Sequence, residues 1–444
     1  MLITLTAPAF AETWYIENGD ITVKASGTEG KNTVSQGNKK DVEDTNTIIT
    51  NQNQDKASSH TVTIDANDKN DKVEVTLKDV NIDTSSRNKA AVSVTGSGNT
   101  TIKLDGDNAL KSDTYRSGIY GSGSLTISGG TVTANGDDGG HGIYSRGSIT
   151  ISGGSTVTAN GRSGTISGGD GIRSDGGVTI SGGTVNATGG NGGTISGGDG
   201  IRSGGVVTIS GNTVNAAGGY GGKVGGYGIC SFDRVAISGG TVEAAGGNGS
   251  TGGGSGIYSS VIDLSGSLEL TAKAGSPTGK ALLQNGSELD LDTIKDKLGP
   301  GAKVTVTDAN GETKQVSIPR PVEPEEPVIP GESSSSSDGG SSAPSAPASP
   351  LPGLTVTDKS GAVISYTSTQ SGNTLTICVG RFTASLRASL SALRPLRAEG
   401  IETITFQTIL CSTTLSVDEL LAMGGEDAEA VLTHRLTDSS LTVG

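Results

Sequence analysis

The sequence is poor in the residues that fill a wide globular core. Among its 444 residues there are one tryptophan, four phenylalanines and two methionines. Glycine occurs 72 times, well above its usual share of about 7%. Small β-branched residues still fill a narrow core when they stack in register. The glycines follow no Gly-X-Y period, which excludes collagen.

Clusters of positive charge and long apolar runs are also missing. The formal net charge is −14, and no run of lysine or arginine exists to neutralise phosphates, which argues against a nucleic acid partner. No later stretch reaches the roughly 18 apolar residues of a transmembrane helix, so we expect no membrane span. A partner rich in hydroxyl groups, or an acidic polymer bridged by a cation, fits this charge better.

Cysteine and histidine are scarce, which limits metal and nucleophilic chemistry. Cys230 lies mid-chain, while Cys378 and Cys411 lie near the C-terminus and are either bridged or two independent thiols. The three histidines are His60, His141 and His434. They lie far apart, and none has the spacing of a metal site or a catalytic triad, so we expect no enzyme.

The first residues favour export. Residues 2–11 read LITLTAPAFA, an apolar run that ends in a small-x-small cleavage site before Glu12. No basic region precedes the run, so residues 1–11 are expected to be the remnant of a longer signal peptide. The predicted location is extracellular, at the bacterial cell surface. A buried N-terminal strand is the alternative.

The strongest pattern is a repeat of about 28 residues. A Gly-Ile-x triplet begins at Gly118, Gly142, Gly171, Gly200, Gly228 and Gly256. Two further β-branched runs follow each triplet, as in Val178–Ile180 and Thr184–Val185. Three short strands per repeat, separated by glycine-rich corners, predict an all-β, right-handed parallel β-helix of about ten coils.

Alternation along each strand assigns the two sides of the coil. In the coil that begins at Gly171, the period-2 rule points Ile172, Val178 and Ile180 inward and Arg173 and Thr179 outward. Equivalent inward residues of successive coils should then stack.

Composition divides the chain further. Residues 12–318 are the predicted β-helix, with caps expected at 24–58 and 294–301. Residues 319–353 form a Pro/Ser-rich linker, and residues 354–444 form a small α+β domain of unknown role. In that domain, Leu386, Leu390 and Leu393 predict one helix, and Ser416 with Glu419 predicts the capped start of another.

One column of outward residues is a candidate site. The residues that follow each Gly-Ile form a column, Tyr120, Tyr144, Arg173, Arg202, Cys230 and Tyr258. Tyrosine and arginine can stack on sugar rings and donate hydrogen bonds, although such a column can also simply cover the sheet by cross-strand packing. A second column, Thr133, Thr158, Asn186, Asn215 and Glu243, is expected to be a solvated polar ladder.

Asp170 and Asp199 occupy equivalent Gly-Gly-Asp-Gly-Ile corners and should stack. Stacked carboxylates are candidate calcium ligands. Alternatively, each aspartate caps its own turn or pairs with the nearby Arg173 or Arg202.

The signature Gly-Ile-Tyr-Ser…Thr-Ile-Ser-Gly-Gly-Thr-Val-Thr-Ala resembles the carbohydrate-binding-domain parallel β-helix proteins of Clostridia-type bacteria (Firmicutes). The resemblance covers residues 60–290 and implies secretion, binding of plant cell-wall polysaccharide, and calcium ligation. The leading interpretation is therefore a surface protein that binds polysaccharide without cleaving it. The alternatives are a structural stalk or adhesin that binds a surface protein, and a polysaccharide lyase-like enzyme.

Overall fold

A computed structural model describes residues 12–319, except 27 and 29, and much of 353–443. In the second range, residues 359–361, 365, 372, 380–382, 409–411, 426–427 and 436–437 are not described. The expected signal peptide remnant at 1–11, linker residues 320–352 and Cys411 therefore lie outside the described residues. The chain divides into two compact units, Met1–Glu325 and Glu326–Gly444.

The first unit is a parallel β-solenoid of about 11 turns, which confirms the predicted fold class. Its N-terminal strands are β1 (Thr13–Tyr15), β2 (Ile21–Ala25), β3 (Asn32–Gln36), β4 (Lys39–Asp44), β5 (Ile48–Thr50), β6 (Val62–Ala66), β7 (Lys72–Lys78), β8 (Asn81–Asp83), β9 (Val92–Gly96) and β10 (Asn99–Thr114). The central strands are β11 (Ile119–Gly121), β12 (Ser124–Asp137), β13 (Ile143–Ser145), β14 (Ile149–Ser152), β15 (Thr156–Asn160), β16 (Ile172–Ser174), β17 (Val178–Ile180), β18 (Thr184–Thr188), β19 (Ile201–Ser203), β20 (Val207–Ile209) and β21 (Thr213–Ala217). The last are β22 (Ile229–Ile237), β23 (Gly240–Ala245), β24 (Ile257–Leu264), β25 (Leu268–Lys273), β26 (Leu282–Gln284), β27 (Ser287–Glu288), β28 (Lys303–Thr307) and β29 (Thr313–Ser317).

Parallel pairing between successive coils arranges these strands on three faces. Face 1 contains β2, β6, β9, β11, β13, β16, β19, the first parts of β22 and β24, and β26. Face 2 includes β14, β17 and β20, and face 3 includes β15, β18, β21, β23, β25 and β28. The long strands β10, β12, β22 and β24 turn from one face to the next.

Stacked small apolar side chains form the core, as the period-2 assignment predicted. On face 1 the inward residues pair in register through six coils and are fully buried: Ile119, Ile143, Ile172, Ile201, Ile229 and Ile257. Full burial of each such side chain contributes about 1.5–3 kcal/mol. One continuous cluster of buried residues extends from Trp14 to Val316, so stacking replaces the bulky core that the composition lacks.

The corners between faces 3 and 1 project as stacked loops, which we call the fin (residues 161–170, 189–199, 218–227 and 246–255). Each loop closes on itself, as when the Gly169 amide donates to the Arg162 carbonyl at 2.9 Å. Parallel bridges then join equivalent glycines of successive loops. A Cβ atom on Gly168 would lie 1.8 Å from the Gly190 carbonyl oxygen, so only glycine fits there. This close approach explains the richness of these corners in glycine.

Both ends of the solenoid carry elements that depart from the parallel pattern. Near the N-terminus, β3 pairs antiparallel with β2 and β4. Near the other end, a 3-10 helix (Leu291–Lys297) precedes β28, which pairs antiparallel with β29. A shorter 3-10 helix, Ile16–Asn18, follows β1. Such elements cover strand edges that would otherwise be open to pairing with another chain.

The second unit has two sheets and two helices. Its strands are β30 (Leu354–Thr357), β31 (Val363–Ile364), β32 (Thr367–Ser371), β33 (Thr374–Cys378), β34 (Thr383–Ser389), β35 (Thr403–Gln407), β36 (Ser412–Ser416), β37 (Glu429–Arg435) and β38 (Asp438–Val443), and its helices are α1 (Leu390–Ala398) and α2 (Val417–Met423). One sheet has the order β31-β30-β34-β37-β38 and the other has the order β32-β33-β35-β36. No helix in the described parts of the chain is long and apolar enough to cross a membrane.

One helix prediction in this unit is confirmed and the other is partly wrong. The Ser416 hydroxyl caps α2 by accepting from the Glu419 amide at 3.4 Å. Leu386, however, lies in β34 and not in a helix, because it pairs with Leu432 in the sheet and the helix begins only after Ser389.

Candidate functional site on face 1

The predicted outward column lies in register along face 1. Tyr120 pairs with Tyr144, then follow Arg173, Arg202, Cys230 and Tyr258, one residue from each coil. With two further aromatic residues described below, Tyr227 and Phe232, the half-buried members and the exposed Phe232 form what we call the face 1 strip: Tyr120, Tyr144, Arg173, Arg202, Tyr227, Phe232 and Tyr258.

The first half of the strip is a chain of contacts between rings and a guanidinium. The rings of Tyr120 and Tyr144 lie edge to face with centroids 5.6 Å apart, and the Arg173 guanidinium carbon lies 5.6 Å from the Tyr144 ring centroid. The Tyr144 hydroxyl donates to Asp175 at 2.8 Å. Burial and this carboxylate raise the pKa of Tyr144. The ring is therefore held in one orientation while part of it stays open to solvent.

The second half is more aromatic. The Arg202 guanidinium carbon lies 5.0 Å from the centroid of Phe232, and Phe232 is 52% exposed. The rings of Tyr227 and Tyr258 are stacked, with centroids 5.0 Å apart and an interplanar angle of 16°. The contacts along the strip therefore form three groups: Tyr120–Tyr144–Arg173, Arg202–Phe232 and Tyr227–Tyr258.

Tyr227 and Phe232 were missed by the sequence reasoning, although a signal for them exists. Tyr227 occupies the position that Asp170 and Asp199 hold in the two preceding coils, and Phe232 occupies the corner position of Gly204. Both residues thus mark the coil in which the outward repeat breaks.

Cys230 was expected in the exposed column, but it is fully buried. It is the smallest side chain of the column and lies beneath its larger neighbours. Burial raises the pKa of its thiol. Cys230 is therefore part of the support beneath the strip and not part of its exposed surface.

The two candidate metal ligands belong to a buried ladder of hydrogen bonds. The Asp199 amide donates to Asp170 Oδ1 at 2.7 Å, and the Tyr227 amide donates to Asp199 Oδ1 at 2.7 Å. One coil earlier, the Asp170 amide donates to His141 Nδ1 at 2.8 Å. Each aspartate therefore satisfies the backbone of the next coil in the stack.

The remaining carboxylate oxygens face arginine. Arg202 Nη1 lies 2.9 Å from Asp199 Oδ2, and Arg173 Nη1 lies 3.5 Å from Asp170 Oδ2. Burial, and secondly the charge of Asp170, raise the pKa of Asp199. These pairs hold the two arginines of the strip in place.

This arrangement does not fit a calcium ion at Asp170 and Asp199. Calcium takes six to eight oxygen ligands. The oxygens of both carboxylates already accept amide or guanidinium N–H groups. Within the described residues, no group of three or more histidines, cysteines, aspartates or glutamates is placed to hold a metal ion. The geometry is that of the alternative interpretation, in which each aspartate pairs with arginine.

The three histidines lie in different surroundings. His60 Nδ1 is 3.3 Å from Asp20 Oδ1, which also pairs with Arg87. His141 lies under the strip, and burial lowers its pKa. His434 is in the second unit, with its ring 4.8 Å from that of Phe406.

Fold and site together define a class of protein: a parallel β-solenoid that presents a strip of aromatic and arginine side chains on one face. No protein family, curated protein or solved structure matches this chain.

Proposed function

We propose that the solenoid binds a polysaccharide along the face 1 strip without cleaving it, outside a bacterial cell. The observation that carries the proposal is the presence of three groups of ring and guanidinium contacts along face 1 of the solenoid. Equivalent side chains of neighbouring coils are about 4.8 Å apart, close to the length of one sugar unit. A polymer lying along the rod would therefore meet one strip residue per unit.

The chemistry of the strip suits this ligand. Tyrosine and phenylalanine offer flat apolar faces on which sugar rings stack, and arginine offers several hydrogen-bond donors to hydroxyl groups. One exposed stacking contact contributes about 1 kcal/mol, so a single unit would bind weakly. Several contacts on one chain add up, which favours a long polymer over a short oligosaccharide.

Two observations favour binding without catalysis. A lyase-like mechanism would use Arg173 or Arg202 beside Asp170 or Asp199, yet the same pair occurs in two successive coils. In each pair the arginine also contacts the aspartate carboxylate, which such a mechanism would need as a ligand for a cation. Location outside the cell is proposed from residues 2–11 of the sequence alone.

The test is retention of the full chain on polysaccharide affinity gels. Replacing Tyr144 and Tyr258 together by alanine removes a ring from each half of the strip, and we expect a clear loss of retention. The matched control replaces Tyr115 and Tyr220, which are 70% and 50% exposed and lie outside the strip. Equal retention of the two double variants, with unchanged circular dichroism, would remove the site from face 1.

A second candidate function, binding to a surface protein, is favoured by the edge of the fin. Ile166, Ile195 and Val224 stand at equivalent positions of three successive loops and are 59%, 48% and 41% exposed. Exposed apolar groups in a row are typical of contacts with proteins. If this edge is the functional surface, Ile166→Ser with Ile195→Ser abolishes partner binding and leaves glycan retention unchanged.

A further inference from the structure

We infer that the end of the strip around Arg146 recognises an anionic sugar unit, so that the polysaccharide proposed above is an acidic one. This inference rests on the proposed function and specifies the class of its ligand. Arg146 follows β13 directly, and its amide donates to the Gly121 carbonyl at 2.8 Å. The side chain is exposed at the corner that follows β13, two residues beyond Tyr144 in the chain. Its neighbour Tyr120, and a side-chain hydrogen bond with Tyr144, raise the pKa of Arg146.

Arg146 differs from the two arginines within the strip. Arg173 and Arg202 each lie against a buried aspartate of their own coil, which occupies part of the guanidinium. In the described part of the chain, no carboxylate oxygen lies within 4.0 Å of the Arg146 guanidinium. Arg146 therefore brings an uncompensated positive charge to the strip of a protein whose net charge is −14.

The nearest acidic neighbour is already engaged. Asp175 accepts the Tyr144 hydroxyl at 2.8 Å, and its other oxygen lies 3.9 Å from Arg173 Nε. Asp175 lies beyond ion-pair distance of Arg146, although its charge still acts on it. The Arg146 guanidinium interacts with the Tyr144 hydroxyl and keeps further N–H donors for an incoming ligand.

An exposed guanidinium next to the Tyr120–Tyr144 pair matches one kind of sugar. Its planar fork accepts a carboxylate in bidentate geometry, while the adjacent rings stack on the pyranose that carries the charge. A uronic acid unit and a sulfated unit both offer an anionic group of this kind. The shared requirement is a negative charge on the sugar that lies over Tyr120 and Tyr144.

The test uses the full chain on an array of acidic polysaccharides, each printed beside its carboxyl-reduced neutral counterpart and a sulfated form of that neutral polymer. We expect the wild-type protein to bind an acidic member more tightly than its neutral partner, and less so at high salt. Arg146→Gln should weaken acidic binding by about tenfold, the size of one charge-assisted hydrogen bond, and weaken neutral binding much less. Arg162→Gln, which makes the same charge change on a side chain that is 64% exposed, is the control.

The outcomes separate the two proposals. If Arg146→Gln loses binding to the uronate polymers, the ligand is a carboxylate. If it loses binding only to the sulfated polymers, the ligand is a sulfate ester. Both results support an anionic unit at Arg146. If the protein prefers neutral members, or if Arg146→Gln and Arg162→Gln behave alike, this inference is overturned while binding along the strip stands. If the wild-type protein binds no polysaccharide on the array, the proposed function itself fails.

Discussion

Two neighbouring coils of the solenoid share their interior and differ in their exterior. The inward pairs, all buried and in register, are Ile201 with Ile229, Val207 with Val235, and Val214 with Val242. The outward changes from the first coil to the second are Asp199 to Tyr227, Arg202 to Cys230, and Gly204 to Phe232. One coil carries a buried aspartate against the half-buried Arg202 at this place, and the next carries the half-buried ring of Tyr227 and the exposed ring of Phe232.

The difference separates what the fold requires from what the surface is free to change. Each inward side chain packs against its own copy one coil away, so a change in one coil disturbs its neighbours as well. Outward residues are not under that packing constraint, so they can differ from one coil to the next. We interpret the break at Tyr227 and Phe232 as part of the proposed binding strip.

The largest expected effect breaks the interior. Ile201→Asp would bury an unpaired carboxylate between Ile172 and Ile229, which costs roughly 3 kcal/mol or more. We expect the melting temperature from circular dichroism to fall sharply, or the solenoid to lose its structure. Thr179→Asp adds the same charge at an exposed outward position of face 2 and should have little effect. Equal melting of both variants would mean that the two sides of the coil are wrongly assigned.

The fin is predicted to be nearly as sensitive. A Cβ atom on Gly198 would lie 1.9 Å from the Gly169 carbonyl oxygen, so Gly198→Ala forces two coils apart. The cost of such overpacking is about 1–3 kcal/mol, measurable by urea denaturation. At Gly239 the nearest atom would be 3.4 Å away, and Gly239→Ala should be tolerated. A fin that accepts Gly198→Ala without loss of stability would not be close-packed.

A pH dependence distinguishes the ion-paired coil from the aromatic one. Burial and Asp170 raise the pKa of Asp199 to about 7, so the folded state holds this proton more tightly than the unfolded state. The free energy of unfolding should therefore fall as the pH rises from the usual pKa of aspartate to neutrality. The expected slope is roughly 1 kcal/mol per pH unit. Asp199→Asn should flatten this part of the profile of melting temperature against pH. A wild-type profile that rises over the same range would contradict a raised pKa at Asp199.

The smallest expected effect concerns metal. Because Asp170 and Asp199 already have N–H partners, removal of calcium by a chelator should leave the melting temperature unchanged. A calcium ion bound only to the folded state, at 100 times its dissociation constant, would add about 2.7 kcal/mol. A chelator-dependent change of that size would restore the calcium interpretation.

Much of the solenoid was predictable because one period controls both its sequence and its structure. The spacing of the Gly-Ile triplets fixed the coil length, and alternation assigned residues such as Ile172 and Arg173 to the correct sides. The outward column was therefore placed correctly, coil by coil, apart from the burial of Cys230.

The contacts within the site were not predictable, because they depend on local departures from the period. Between Ser231 and Arg234 the register shifts, and this turn brings Phe232 against Arg202. Whether Asp199 faces a metal ion or Arg202 was also undecidable from spacing, since both arrangements use the same two residues. In the second unit, the leucine spacing from Leu386 is compatible with helix, and only pairing with β37 places that residue in a strand.

The most direct test of the strip is covalent footprinting of aromatic side chains with and without a bound polysaccharide. We predict protection of Phe232, Tyr144 and Tyr258 when the polymer is present, while Tyr115 and Tyr220 keep their reactivity. The control tyrosines are in the same chain and are well exposed, so they report on non-specific shielding. Protection of Tyr220 in the fin, with Phe232 and Tyr258 unchanged, would contradict binding on face 1.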